Sequence, residues 1–94
     1  MKKIVIFGST GSIGSSLLSI IEKDKKDFKI ELISANKNYK KLINQSRIFN
    51  VKNLIITDLN SFFKAKEILK NTNIIIYNKF KSFKEIFKNK KIDY

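Results

Sequence analysis

The sequence predicts an α/β fold: a doubly wound parallel sheet with helices on both faces, in three α/β/α layers. Two observations carry this. Four short apolar runs alternate with four stretches of helical periodicity, the pattern of strands buried on both faces and joined by right-handed crossover helices. All three glycines of the chain fall in one loop, at the first strand-to-helix junction, which makes the fold Rossmann-like.

The elements follow in order. Lys3 to Phe7 is a continuous apolar run ended by Gly8, hence a buried strand. From Ser12 to about Lys23, Ile13, Leu17, Ile20 and Ile21 fall on one helical face. Phe28 to Ser34 reads as the second strand. Tyr39, Leu42, Ile43, Ser46 and Phe49 mark the second helix. Asn53 to Thr57 is the third strand. Asp58 to Lys70 is the third helix, capped by Asp58 or Asn60, with Phe62, Ala65 and Leu69 inward. Asn73 to Tyr77 is the fourth strand, and Phe80 to Lys90 the fourth helix. Ile92-Asp93-Tyr94 looks like the beginning of a fifth strand. No repeat, linker or boundary interrupts the chain, so residues 1–94 read as a single domain truncated at its fifth strand, the N-terminal part of something longer.

Composition excludes several chemistries. The chain has no His and no Cys, which removes Cys/His metal sites, disulfides, thiol nucleophiles and a Ser-His-Asp triad. No pair of carboxylates is placed for a divalent metal, and no general acid or base stands out. No apolar run approaches the roughly 20 residues of a membrane span, and none resembles a signal peptide. The reading is a cytoplasmic domain with no membrane partner. The net charge is +12, but Arg47 is the only Arg among the basic residues. Lys, Ile and Asn together make up about half of the chain. Arg is the residue suited to bidentate phosphate and base contacts. The excess therefore reads as solvated lysine, with no nucleic-acid partner.

The informative segment is Gly8-Ser9-Thr10-Gly11-Ser12-Ile13-Gly14, a G-x-x-G-x-x-G loop between a strand and a helix. That context marks a dinucleotide-binding turn. Gly8 lets the chain turn sharply out of the strand. Gly11 leaves room for a pyrophosphate against the backbone, and Gly14 lets the helix sit close to the sheet. The helix amides and dipole face the phosphates. Thr10 and Ser12 add hydroxyls, and Ile13 is expected to turn under the loop into the core, offering its amide. At the end of the second strand an NAD-preferring fold carries an acid for the ribose 2′-hydroxyl. Here the segment is Ile33-Ser34-Ala35-Asn36-Lys37-Asn38, without a carboxylate; Glu31 comes too early. Ser34, Lys37 and Asn38 would welcome a 2′-phosphate, so NADPH is favoured over NADH. Tyr77 and Asn78 are weaker candidates for the wall of the cofactor crevice.

These residues resemble a known family. Met1 to Gly14, MKKIVIFGSTGSIG, is similar to the start of 1-deoxy-D-xylulose 5-phosphate reductoisomerases. The likeness continues through Phe28 to Ser34, the Ala35-Asn36-Lys37-Asn38 turn and the stretch from Phe49 to Thr57. The resemblance implies NADPH contacts at Thr10, Gly11, Ser12, Ile13, Lys37 and Asn38. Asn36 stands where the family usually has Gly. Asn best tolerates left-handed backbone angles, but its side chain would crowd the adenosine ribose. The family isomerises and reduces 1-deoxy-D-xylulose 5-phosphate to 2-C-methyl-D-erythritol 4-phosphate, in non-mevalonate isoprenoid synthesis, using NADPH and a divalent metal (Mg or Mn). The resemblance implies that the metal and phosphosugar residues and most contacts of a homodimer lie beyond Tyr94. The 94 residues alone are expected to bind cofactor without turnover. Two other readings remain at this point. One is another NAD(P)-dependent dehydrogenase or epimerase domain, although Phe7 stands where epimerases carry Thr. The other is a non-catalytic basic binding module.

Overall fold

The computed structural model describes residues 2–24 and 27–80. Strands β1 (Lys2–Ile6), β2 (Phe28–Ala35), β3 (Asn53–Ile56) and β4 (Ile75–Tyr77) alternate with helices α1 (Ser12–Glu22), α2 (Tyr39–Phe49) and α3 (Leu59–Ile68). The strands form one parallel sheet in the order β1-β2-β3-β4. The elements match the apolar runs to within a residue or two at their ends. The fourth helix expected over Phe80 to Lys90 and the fifth strand expected at Ile92 lie outside the described residues.

Each crossover steps in the same direction, and right-handed crossovers of one direction stack their helices on one face. The packing agrees. Ile4, Ile6, Ile30, Ile33, Leu54 and Ile56 from the strands meet Leu18 and Ile21 of α1, Leu42 and Ile43 of α2 and Ala65 of α3 in one buried cluster. Leu32 and Ile55 lie on the opposite face, against Val5 and Tyr77. A return of the winding across β1 would need chain outside the described residues.

The register of β1 on β2 slips once. Ile4 pairs with Ile30, but Val5 pairs with Leu32, leaving Glu31 as the extra residue of a bulge. The bulge puts Ile30 and Ile33 on the same, helix-covered face. Its carbonyl accepts the Asn53 side-chain amide at 3.1 Å, and the buried Glu31 carboxylate lies 3.6 Å from Lys29. Helix α2 ends at Asn50, the one non-glycine among the described residues with positive φ (55°); Asn is the usual substitute for Gly at such a stop.

Helix α1 corrects one expectation. Gly14, Leu18 and Ile21 are buried, whereas Ile13 is 87% exposed and Leu17 and Ile20 are also exposed. The helix carries two apolar stripes, and the sheet takes the one containing glycine. A Cβ on Gly14 would sit 2.5 Å from the Gly8 carbonyl oxygen and 2.6 Å from Ser9 Cα. Only glycine lets α1 approach that closely, so the position of Gly14 sets the rotation of the helix. Ile13 is thereby turned outward.

Candidate phosphate-binding loop

The glycine loop sits at the C-terminal ends of β1 and β2, where ligands bind in open α/β sheets. Gly8 leaves β1 with φ at +68°, a conformation that excludes most side chains. Its amide donates to Ser34 Oγ at 2.9 Å, and the Ser9 amide donates to the Ser34 carbonyl at 2.9 Å. The Gly11 amide closes the turn on the Gly8 carbonyl at 3.0 Å.

Helix α1 begins with no side-chain cap on Gly11. Among the described residues, the amides of Ser12, Ile13 and Gly14 have no acceptor, as the first turn of any helix requires unless something caps it. Helices α2 and α3 are each capped by a side chain. Asn38 Oδ1 accepts from the Lys41 amide, and Asp58 Oδ2 accepts from the Ser61 amide. The exposed start of α1 opens onto a cleft of about 640 Å³ lined by Phe7, Gly8, Gly11, Ser12, Ile13 and Leu17. Gly11 has only the Gly8 carbonyl near its missing Cβ, at 3.4 Å. Free amides, a helix dipole and bare glycine backbone together suit a phosphate.

The second strand end lies beside the first. Asn36, Lys37 and Asn38 are exposed there, and Gly8, Gly11, Ser12 and Ile13 are exposed on the loop. Asn36 does not take the left-handed conformation, since its φ is not positive. Its Oδ1 accepts from Thr57 Oγ1 at 2.9 Å, which draws the side chain toward the end of β3. Asp58 lies behind the turn, as the cap of α3. Hydrogen bonds from the Ser61 hydroxyl and amide, then the nearby Lys37 and Lys64 ammonium groups, hold its carboxyl below the usual carboxylate range. Ser61 Oγ lies 2.7 Å from Asp58 Oδ2 and 3.1 Å from the Lys37 carbonyl. A hydroxyl has one proton to donate, so the two acceptors share it, and the α3 cap is tied to the Lys37 turn.

Two expectations are corrected here. Ser34 is buried, and its hydroxyl oxygen and carbonyl both accept from the loop backbone; it braces the loop from beneath and does not line the cleft. Tyr77 and Asn78 do not wall the crevice, because β4 is separated from β1 by two strands. Asn78 Nδ2 instead donates to the Ile56 carbonyl at 3.0 Å. The sequence reading also missed two contributors from α2. Gln45 bonds twice to Ser9, and Lys41 Nζ donates to the Thr10 carbonyl at 3.0 Å. Gln45 had a signal: it is a polar residue within the inward stripe that includes Leu42, Ser46 and Phe49. Lys41 had none, being one lysine among many.

Comparison with known proteins decides the family. The family model of 1-deoxy-D-xylulose 5-phosphate reductoisomerase matches residues 4–94. The chain belongs to that family. It is 62% identical to the 1-deoxy-D-xylulose 5-phosphate reductoisomerase of Pelagibacter ubique, over 100% of this chain and 24% of that protein. It is 42% identical to that of Proteus mirabilis over 78% of this chain and 18% of that protein. It thus spans about a quarter or less of these relatives. The reductoisomerase of Zymomonas mobilis in complex with NADPH superposes with a TM-score of 0.80 at 27% identity, over 90% of this chain and 22% of that one. A reductoisomerase in complex with NADPH, fosmidomycin and magnesium superposes with a TM-score of 0.86 over 99% of this chain and 23% of that one. At 21% identity the latter likeness shows the α/β fold alone. Membership removes the general dehydrogenase and the basic binding module as readings of the family.

Proposed function

We propose that residues 1–94 form an NADPH-binding domain of a 1-deoxy-D-xylulose 5-phosphate reductoisomerase. The observation that carries this is the uncapped start of α1: three free amides beside a glycine loop, at the same sheet end as an acid-free Asn36-Lys37-Asn38 turn. The loop, through Gly8, Thr10, Gly11, Ser12, Ile13 and Gly14, takes the pyrophosphate. Lys37 and Asn38 take the 2′-phosphate, and Asn38 can do so with its side-chain NH₂ while its oxygen caps α2. When bound, NADPH supplies the hydride of the reduction; these residues bind and orient it. Ser34 is left out of the contacts because it is buried and braces the loop from beneath.

The residues described here do not fit a metal. No group of three or more His, Cys, Asp or Glu among them could hold one. We place the Mg or Mn, the phosphosugar contacts and the hydride-acceptor chemistry in parts of the family fold that this chain does not span, and the homodimer contacts with them. The 94 residues alone then bind cofactor and turn nothing over. We also assign the domain to the cytoplasm, with no membrane or nucleic-acid partner. No described helix is long and apolar enough to cross a membrane, and the lysines read as solvated.

Titration of the chain with NADPH and NADH tests the reading. Saturable binding that prefers NADPH is expected, with no NADPH oxidation when the phosphosugar and magnesium are added. Equal failure to bind either nucleotide would overturn it. Steep salt-dependent binding to DNA or RNA in place of NADPH would overturn it as well.

A further inference from the structure

We propose that Gln45 is the positioning residue of the phosphate loop: its carboxamide clasps Ser9 and so holds the free amides of Ser12, Ile13 and Gly14 in place for a pyrophosphate. This rests on the NADPH reading above and deepens it. Gln45 is 7% exposed and Ser9 fully buried, although they stand 36 residues apart. Ser9 Oγ donates to Gln45 Oε1 at 2.7 Å, and Gln45 Nε2 donates to the Ser9 carbonyl at 2.9 Å. The carbonyl can only accept, so the orientation of the amide is determined. The Ser9 amide donates to the Ser34 carbonyl, and Ser15 Oγ donates to the Ser9 carbonyl at 3.3 Å.

Every polar group of Ser9 is therefore engaged, by β2, by α2 and by α1. Ser9 is the buried hinge from which the half-buried Thr10 and the exposed Gly11, Ser12 and Ile13 project. Without Gln45 the hydroxyl and carbonyl of Ser9 would lose their best partners in a site closed to water. Buried polar groups do not stay unpaired cheaply, so the loop would shift to find other partners. The free amides beyond it would then lose their common aim. Gln45 touches no ligand itself; it acts through Ser9. The Asn36-Lys37-Asn38 turn is held by a different set of bonds, to Thr57, Asp58 and Ser61.

That separation supplies the test. Two probes are titrated against the 94-residue chain: NADPH, which has a pyrophosphate, and adenosine 2′-phosphate, which has none. Gln45→Met keeps the length of the side chain and removes both bonds. It is expected to raise the NADPH dissociation constant about tenfold, the loss of one to two net hydrogen bonds. The constant for adenosine 2′-phosphate should be unchanged. Should Gln45→Met not fold, Ser9→Ala carries the same test. It deletes the hydroxyl's bond to Gln45 and its long 3.5 Å contact with the Ser34 carbonyl, with a loss of roughly threefold for NADPH alone. An NADPH constant that does not move, or a loss shared by both probes, would overturn the proposal and leave Gln45 a packing residue. If the unsubstituted chain binds neither probe, it is the NADPH reading that fails, and the inference with it.

Discussion

Gly14 and Gly8 meet backbone to backbone: a Cβ on Gly14 would stand 2.5 Å from the Gly8 carbonyl oxygen. The obstacle is main chain, not a flexible side chain, so it cannot swing aside. Gly14→Ala must push α1 off the sheet or deform the turn. The expected cost is about 1–3 kcal/mol of stability, with NADPH binding lost in the same step. Chemical denaturation and a binding titration check it. Wild-type stability and affinity in the alanine variant would mean that α1 does not need this approach.

The same contact separates two neighbouring isoleucines that the periodicity placed on one face. Ile21 is 4% exposed and Ile20 66% exposed. Ile21→Ala should cost roughly 2–5 kcal/mol, as buried Ile truncations do. Ile20→Lys should leave the denaturation midpoint within experimental error and improve solubility. Equal losses in the two variants would return both residues to the core.

How far the fold was legible depends on which signal each element carried. The strands and the three described helices announce themselves because continuous apolar runs and helical spacing are local properties. The sheet order and the rotation of α1 are not local. Ile13, Leu17 and Ile20 have the spacing of a core face, yet a glycine stripe took the sheet, because close approach outranked side-chain area at that crossing. The glycine loop was legible because all of the chain's glycine is spent there. Ser34 misled, since a hydroxyl near a ligand site and one holding the site look the same in a sequence. Gln45 is a partner at 36 residues' separation, which no local pattern reports.

The apolar Phe7, Ile13 and Leu17 beside the glycine loop are exposed. Apolar surface left in water adds nothing to the stability of a small domain. NADPH, bound only by the folded chain, should therefore raise its melting temperature. At a hundred times the dissociation constant the gain is about 2.7 kcal/mol. A thermal scan with and without NADPH measures it. An unchanged midpoint at saturation would count against a formed site.

Asp58 makes part of the stability pH-dependent. Its carboxyl is lowered from 3.8 in the folded chain, first by the Ser61 hydrogen bonds and then by Lys37 and Lys64. A depressed acid contributes stability that is present above its unfolded value and is lost as pH falls through the folded one. Asp58→Ala should therefore lower the melting temperature at neutral pH, with the gap narrowing as pH drops below about 3.8. Asp58→Asn, also a good cap, should recover much of the loss. A gap that stays constant from neutral to acid pH would show that the charge on Asp58 plays no part.

In the proposed NADPH reading, cofactor choice turns on Lys37. It is exposed at the end of β2, where no acid stands to bind a ribose hydroxyl, and the turn that carries it is tied to the α3 cap through Ser61. Its ammonium lies near the Asp58 carboxylate, at the exposed rim of the site. A charge-assisted bond to a 2′-phosphate is worth about 1.5–3 kcal/mol. Lys37→Ala should weaken NADPH binding roughly 10- to 100-fold and leave NADH, which lacks that phosphate, nearly unchanged. Parallel titrations of the variant with both nucleotides decide it. Equal weakening would assign Lys37 to the shape of the turn, and no weakening would move recognition of the 2′-phosphate to Asn38 or elsewhere.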